Sequence, residues 1–220
     1  MENTISESVQ AVLAELPSGV ELVAAAKTRT AAEINQAISA GIKIIGENYI
    51  QEAEAVRANI KHIARWHFIG HLQKNKVRKA VRLFDMIETV DSIALAQEID
   101  SESATIGKIM PMLIEINSGR EAQKGGVLPE NVPVLLNAIS KLCHIRVEGL
   151  MTMGPQNCTS DALRPYFAAT YRLFNEIKLQ QIVGIEMHYL SMGMSDSYKV
   201  AIDEGANVIR LGNRIFGHRH

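Results

Sequence analysis

The sequence predicts an α/β protein, a single (β/α)8 TIM-like barrel with an extra helix ahead of the first strand. Three observations carry this. Short apolar runs alternate with amphipathic stretches along the whole 220-residue chain. The alternating units number eight, the count that closes a parallel barrel. No G-x-G-x-x-G follows the first run, so an open dinucleotide-binding sheet loses support.

The elements follow in order. Val9, Val12, Leu13 and Leu16 form an apolar stripe before any strand, which predicts the extra helix. Residues 20–26 make the first strand, and Thr30 with Glu33 forms a T-x-x-E capping box that starts a helix. That helix carries Ile34, Ala37, Ile38 and Gly41 at i, i+3, i+4, i+7. Strands are then expected at 42–46, 66–69, 86–90, 110–116, 145–151, 187–190 and 208–211. Their β-branched, nearly uncharged runs suit a buried parallel sheet. Helical stripes recur at Val77, Ala80, Val81 and Phe84, at Val132, Leu135, Leu136 and Ile139, and at Tyr198, Ala201, Ile202 and Gly205. Noisier helices fall near 50–60 and 163–177, and a short one near 93–99. Trp66 reads as barrel core. Only a turn's worth of chain, NRIFGHRH, follows the last strand, so the N-terminal helix is expected to cover the seam between strands eight and one. No repeat, low-complexity tract or linker is visible, and residues 1–220 read as one domain.

Composition narrows the function. The chain is 47% hydrophobic and 21% charged, which suits a globular domain with a substantial core. A net charge of -1 gives no global pull toward nucleic acid or an anionic membrane. Cys143 and Cys158 carry neither metal-ligand spacing nor a disulfide framework, and suit a reducing compartment. Residues 2–7 are polar and acidic rather than a signal peptide, and no apolar run reaches membrane-spanning length. A cytoplasmic protein is expected. Lys74, Arg78 and Arg82 share one helical face, read as solvated rather than as a nucleic-acid patch. His67 and His71 straddle a strand end and a helix start with no further ligand motif, so no metal site is expected.

In a barrel, chemistry belongs to the C-terminal ends of the strands. There the sequence places Lys27, Glu47-Asn48, Gly70-His71, Asn117, Met151-Thr152, Ser191-Met192-Gly193 and Arg210-Leu211-Gly212-Asn213. The stretch LSMGMSDSY, with Ser191, Gly193 and Ser195, and the stretch RLGNRIFG, with Gly212, follow strands seven and eight, where barrels often bind phosphate. Lys27 ends an alanine-rich run, and a lysine in an apolar pocket favours its free amine, a nucleophile for aldehydes. Together these define a phosphorylated aldehyde: pyridoxal 5′-phosphate fits, and so does a phosphosugar. Arg210 stands where it can face a pyridine nitrogen, a permanent cation that does not support protonation there. Met151 and Met192 are candidates to touch the ligand.

These stretches resemble the pyridoxal phosphate homeostasis protein family. The likeness rests on AAAKTRT, IGENYIQEA, WHFIGHLQKNKVR, INSGREAQKGGV, EGLMTMGP, LSMGMSDSYKVAI and IRLGNRIFG, in order over nearly the whole chain. The resemblance implies a barrel like the N-terminal domain of alanine racemase, without that enzyme's second domain. It implies a lysine Schiff base to pyridoxal 5′-phosphate at Lys27, the pyridine partner at Arg210, and phosphate contacts at Ser191, Gly212 and Asn213, with Asn48 beside the ring. Asn213 stands where Ser or Thr is usual, which leaves its backbone N–H as the implied contact. The implied role is cofactor holding in vitamin B6 homeostasis and amino-acid balance, with no catalytic residues, no metal, a monomeric state, and apo-enzymes or a regulatory protein as partners. A racemase-like enzyme using the same cofactor is the alternative, and a Schiff-base aldolase acting on a phosphosugar is a weaker third.

Overall fold

Eight parallel strands close on themselves in chain order: β1 (Glu21–Ala25), β2 (Ile44–Glu47), β3 (Arg65–Phe68), β4 (Met86–Val90), β5 (Met110–Glu115), β6 (Ile145–Thr152), β7 (Ile185–Met192) and β8 (Val208–Leu211). This is a computed structural model, and it describes residues 4–217. β1 pairs with both β2 and β8, so the sheet has no free edge. Seven helices connect consecutive strands: α2 (Ala31–Ser39), α3 (Ile50–Arg57), α4 (Val77–Leu83), α5 (Ile93–Ala104), α6 (Val132–Ile139), α7 (Ser160–Gln180) and α8 (Tyr198–Asp203). The helix α1 (Ile5–Glu15) precedes them and α9 (Asn213–Phe216) follows. The expected (β/α)8 barrel is present.

Alternation along each strand splits the apolar residues between two cores. Val23, Ile44 and Val208, with Ile69 and Tyr189, pack inside the barrel, as do Met86, Leu113 and Met151. Leu22, Ala24, Ile45 and Phe68 face outward, where the helical stripes cover them. Trp66 belongs to this outer layer rather than to the barrel interior, because its neighbour His67 takes the inward position. The Arg57 guanidinium lies 5.1 Å over the Trp66 ring.

Strand bounds differ from expectation by two residues at an end in β2 and β7, and elsewhere by no more than one. β2 begins two residues later than expected, at Ile44, and ends one residue later, at Glu47. β7 begins at Ile185, two residues earlier than its apolar run suggests, because the exposed Glu186 and His188 interrupt the apolar pattern, and it ends two residues later, at Met192. The seam between β8 and β1 is covered as expected. α1 packs against α2 and α9. Glu15 accepts from Tyr198 Oη at 3.0 Å and from Arg214 at 3.1 Å, and Gln10 Nε2 donates to the Ala40 carbonyl at 2.6 Å. A Thr4–Glu7 capping box starts α1.

Candidate functional site

Lys27 lies in the turn between β1 and α2, just past the barrel rim. Ala25 pairs with Gly46, so two residues further on Lys27 and Asn48 share one level of the mouth. A side chain at Gly46 would strike Val23 at 2.6 Å and Ile69 at 2.8 Å, so only glycine lets the inner wall close there. Gly193 has a different reason. Its φ is +90°, and a Cβ would lie 2.7 Å from Ala201 and 2.8 Å from Tyr198, so the β7–α8 turn requires glycine.

These turns enclose a cavity of about 260 Å³. Its lining includes Lys27, Asn48, Ser195, Arg210, Gly212 and Asn213, with Met153 and Met194 among its apolar residues. An adjoining cavity of about 350 Å³ shares Asn48, Ile69 and Met153 and reaches His71 and Glu115. Burial and the nearby Asp91 push the Glu115 carboxyl up, against the pull of Arg210, His71 and Lys124.

A polar layer crosses the barrel beneath the mouth. Arg210 is 5% exposed; it donates to Ser191 Oγ at 2.5 Å and to the Thr152 carbonyl at 3.0 Å. Ser191 in turn donates to Glu88 Oε2 at 2.7 Å, and His67 Nδ1 meets Glu88 Oε1 at 2.7 Å. Burial opposes charge on Glu88, but His67, Arg210 and Ser191 outweigh it and hold the carboxyl below its ordinary range. Burial likewise pulls the Arg210 proton affinity down, while Glu88 and Glu115 hold it up. The guanidinium is therefore fixed from below by two acceptors and a carboxylate one bond further away.

Five of the six residues singled out from the sequence meet at one cavity: Lys27, Asn48, Arg210, Gly212 and Asn213. Ser191 does not line it. It is fully buried in β7, and its hydroxyl is engaged with Glu88 and Arg210. Ser195, in the loop beyond, lines the cavity instead. The methionines shift in the same sense. Met151 packs inside the barrel and Met192 in the outer core, whereas Met153 and Met194 reach the cavity. In each case the mouth lies beyond the strand end read from the apolar run. Sequence reading missed Glu88 and gave His67 no partner. The available signal was a lone carboxylate in the apolar run MIETV, in step with the inward Met86. Among the described residues, no group of three His, Cys, Asp or Glu side chains is placed to hold a metal ion, and no helix is long and apolar enough to cross a membrane.

Residues 3–220 match the sequence profile of the family described as Alanine racemase, N-terminal domain. A pyridoxal phosphate homeostasis protein from Aquifex aeolicus is 38% identical over 200 residues, covering 90% of this chain and 87% of that one. The chain belongs to the pyridoxal phosphate homeostasis protein family. A family member from Mus musculus is 35% identical, covering 98% of this chain and 84% of that one. PipY of Synechococcus elongatus, whose structure was solved with pyridoxal phosphate bound, superposes with a TM-score of 0.90 at 34% identity, covering 97% of this chain and 100% of that chain. An alanine racemase of Clostridium difficile shares the fold, with a TM-score of 0.81 at 16% identity, covering 98% of this chain and 57% of that chain.

The donor set can be tested against the family's cofactor by chemistry alone. A phosphorylated pyridine aldehyde needs an amine for the aldehyde, a hydrogen-bond donor for the ring nitrogen, and N–H or hydroxyl donors for the phosphate. Lys27, Arg210 and the Ser195 and Gly212–Asn213 loops supply these around one cavity. The residues fit the group.

Proposed function

We propose that this protein holds pyridoxal 5′-phosphate on Lys27 and serves in intracellular vitamin B6 homeostasis as a carrier rather than as a turnover enzyme. One observation carries the reading: Lys27, Asn48 and Arg210, at the ends of three different strands, line a single cavity. When bound, the cofactor supplies an aldehyde that condenses with an amine. Lys27 is that amine. Arg210 donates to the ring nitrogen and, as a permanent cation, gives no proton to it, which leaves the ring a weak electron sink. Ser195 and the backbone of Gly212 and Asn213 bind the phosphate, and Asn48 flanks the ring. Ser191 acts one step back by orienting Arg210. The whole chain works as one domain and as a monomer in the cytoplasm, and apo-enzymes that need the cofactor are the recipients.

The test is the absorbance spectrum of the purified protein incubated with the cofactor, before and after borohydride, with mass mapping of the modified lysine. A visible band is expected that borohydride bleaches, leaving the reduced cofactor covalently on Lys27, and that Lys27→Ala abolishes. A modified residue elsewhere, or an unchanged band in the variant, overturns the assignment. Exchange of the α-proton of alanine or serine in deuterium oxide would favour the racemase reading instead.

A further inference from the structure

We propose that Glu52 is a positioning residue for Lys27, holding the turn that presents the lysine to the cavity. This rests on the reading of Lys27 above and deepens it.

The turn spans Ala26 to Arg29. The Arg29 N–H donates to the Ala26 carbonyl at 2.9 Å, which makes Lys27 its second residue and Thr28 its third. Thr28 has φ +66°, in the left-handed region. A type II turn asks for that conformation at its third position, and glycine normally takes it. Threonine is β-branched, so its presence there is a backbone outlier. Such conformations persist where their surroundings over-determine them.

The surroundings are specific. The Thr28 N–H donates to Glu52 Oε2 at 2.7 Å, within the range of a charge-assisted bond. Glu52 lies in the first turn of α3, the helix that begins two residues after Asn48. The bond therefore ties the turn bearing Lys27 to the helix that directly follows Asn48. Other bonds hold the ends of the turn: the Ala26 N–H donates to the Gly46 carbonyl at 2.8 Å, and Arg29 donates to the Gly217 carbonyl at 2.7 Å. Among the described residues, the side chain that bonds to the strained residue's N–H is Glu52. Glu47 lies close by with a buried carboxyl, pushed up to about 8 by burial and by Glu52.

The experiment follows imine formation by the apo-protein in excess pyridoxal 5′-phosphate, with denaturant unfolding measured alongside. Glu52→Ala should slow the reaction about tenfold, the effect of losing one hydrogen bond to a charged acceptor. Glu52→Gln should retain part of the rate, because its amide oxygen still accepts. Thr28→Gly in the Glu52→Ala background should restore the rate to within about twofold, since glycine adopts the left-handed turn without a clamp. A general loss of stability would not be repaired in that way. The labelling rate of Lys27 by acetic anhydride, read by mass mapping without cofactor, should follow the same order. Failure of the cofactor reading leaves that order intact, whereas failure of the positioning role erases it. A wild-type rate in Glu52→Ala overturns the proposal, as does an unrestored rate in a cooperatively folded double variant. If Glu52→Ala does not fold, Glu52→Gln and the double variant carry the same comparison.

Discussion

Glu88 and Glu47 are both buried carboxylates near the upper end of a barrel strand, 0% and 1% exposed, and they behave in opposite ways. Glu88 points inward from β4. His67 and Ser191 meet its two oxygens, Arg210 lies 4.0 Å away, and its proton affinity falls. Glu47 ends β2 one position out of step with the inward Ile44 and Gly46, and so faces the helical layer. Among the described residues neither of its oxygens has a hydrogen-bond partner, and its proton affinity rises; the nearby Asn48 amide offsets only part of this. Burial acts alike on both. Partners decide the sign, and partners come from the face of the strand on which the residue stands.

Removing Glu88 should give the largest effect. Glu88→Ala leaves the Arg210 charge buried without its carboxylate, and about 4 kcal/mol of stability should disappear in urea denaturation. The variant should also bind pyridoxal 5′-phosphate more weakly, because Arg210 loses its support. The sign with pH follows from the depressed carboxyl: its contribution is present above the ordinary carboxylate value and is lost as pH falls through the folded value. A Glu88→Ala protein as stable as wild type at pH 7 would show that the network contributes little.

Glu47 should respond in the reverse direction. Its carboxyl is raised from 4.5 to about 8, so the folded chain holds a proton that the unfolded chain releases across that window. Stability should therefore fall as pH rises from 4.5 to about 8 and level off above. Glu47→Gln removes this dependence and should stabilise the protein by about 2 kcal/mol at pH 7, with the gain vanishing in acid. A gain that persists unchanged at pH 4.5 would assign the effect to packing instead.

Ser191→Ala should have the smallest effect. The hydroxyl bridges Arg210 and Glu88, whose charged atoms already lie 4.0 Å apart and can close directly once it is gone. A loss of about 1 kcal/mol in stability is expected, with a weaker drop in cofactor affinity than in Glu88→Ala. If Ser191 instead contacts the phosphate, affinity should fall with no change in stability.

Much of this was legible in the chain. The alternation of apolar runs and 3.6-residue stripes gave the barrel, and the T-x-x-E box fixed the start of α2 at Ala31. The same signature lay in Thr4–Glu7 ahead of α1. Lys27 and Arg210 were legible because strand ends in a barrel carry the chemistry. Ser191 was not. Two serines stood four residues apart, and only the length of β7 shows that the first is still within the strand and the second beyond it.

The sequence by itself determined the eight units, the helical faces that cover them, and the amine and guanidinium at the mouth, because each depends on periodicity or position within one unit. Tertiary structure decided which side chains answer one another: Glu88 with His67 and Ser191, Glu52 with Thr28, Glu15 with Arg214. Those pairs join different units, and no local pattern encodes a distance that exists only once the barrel has closed.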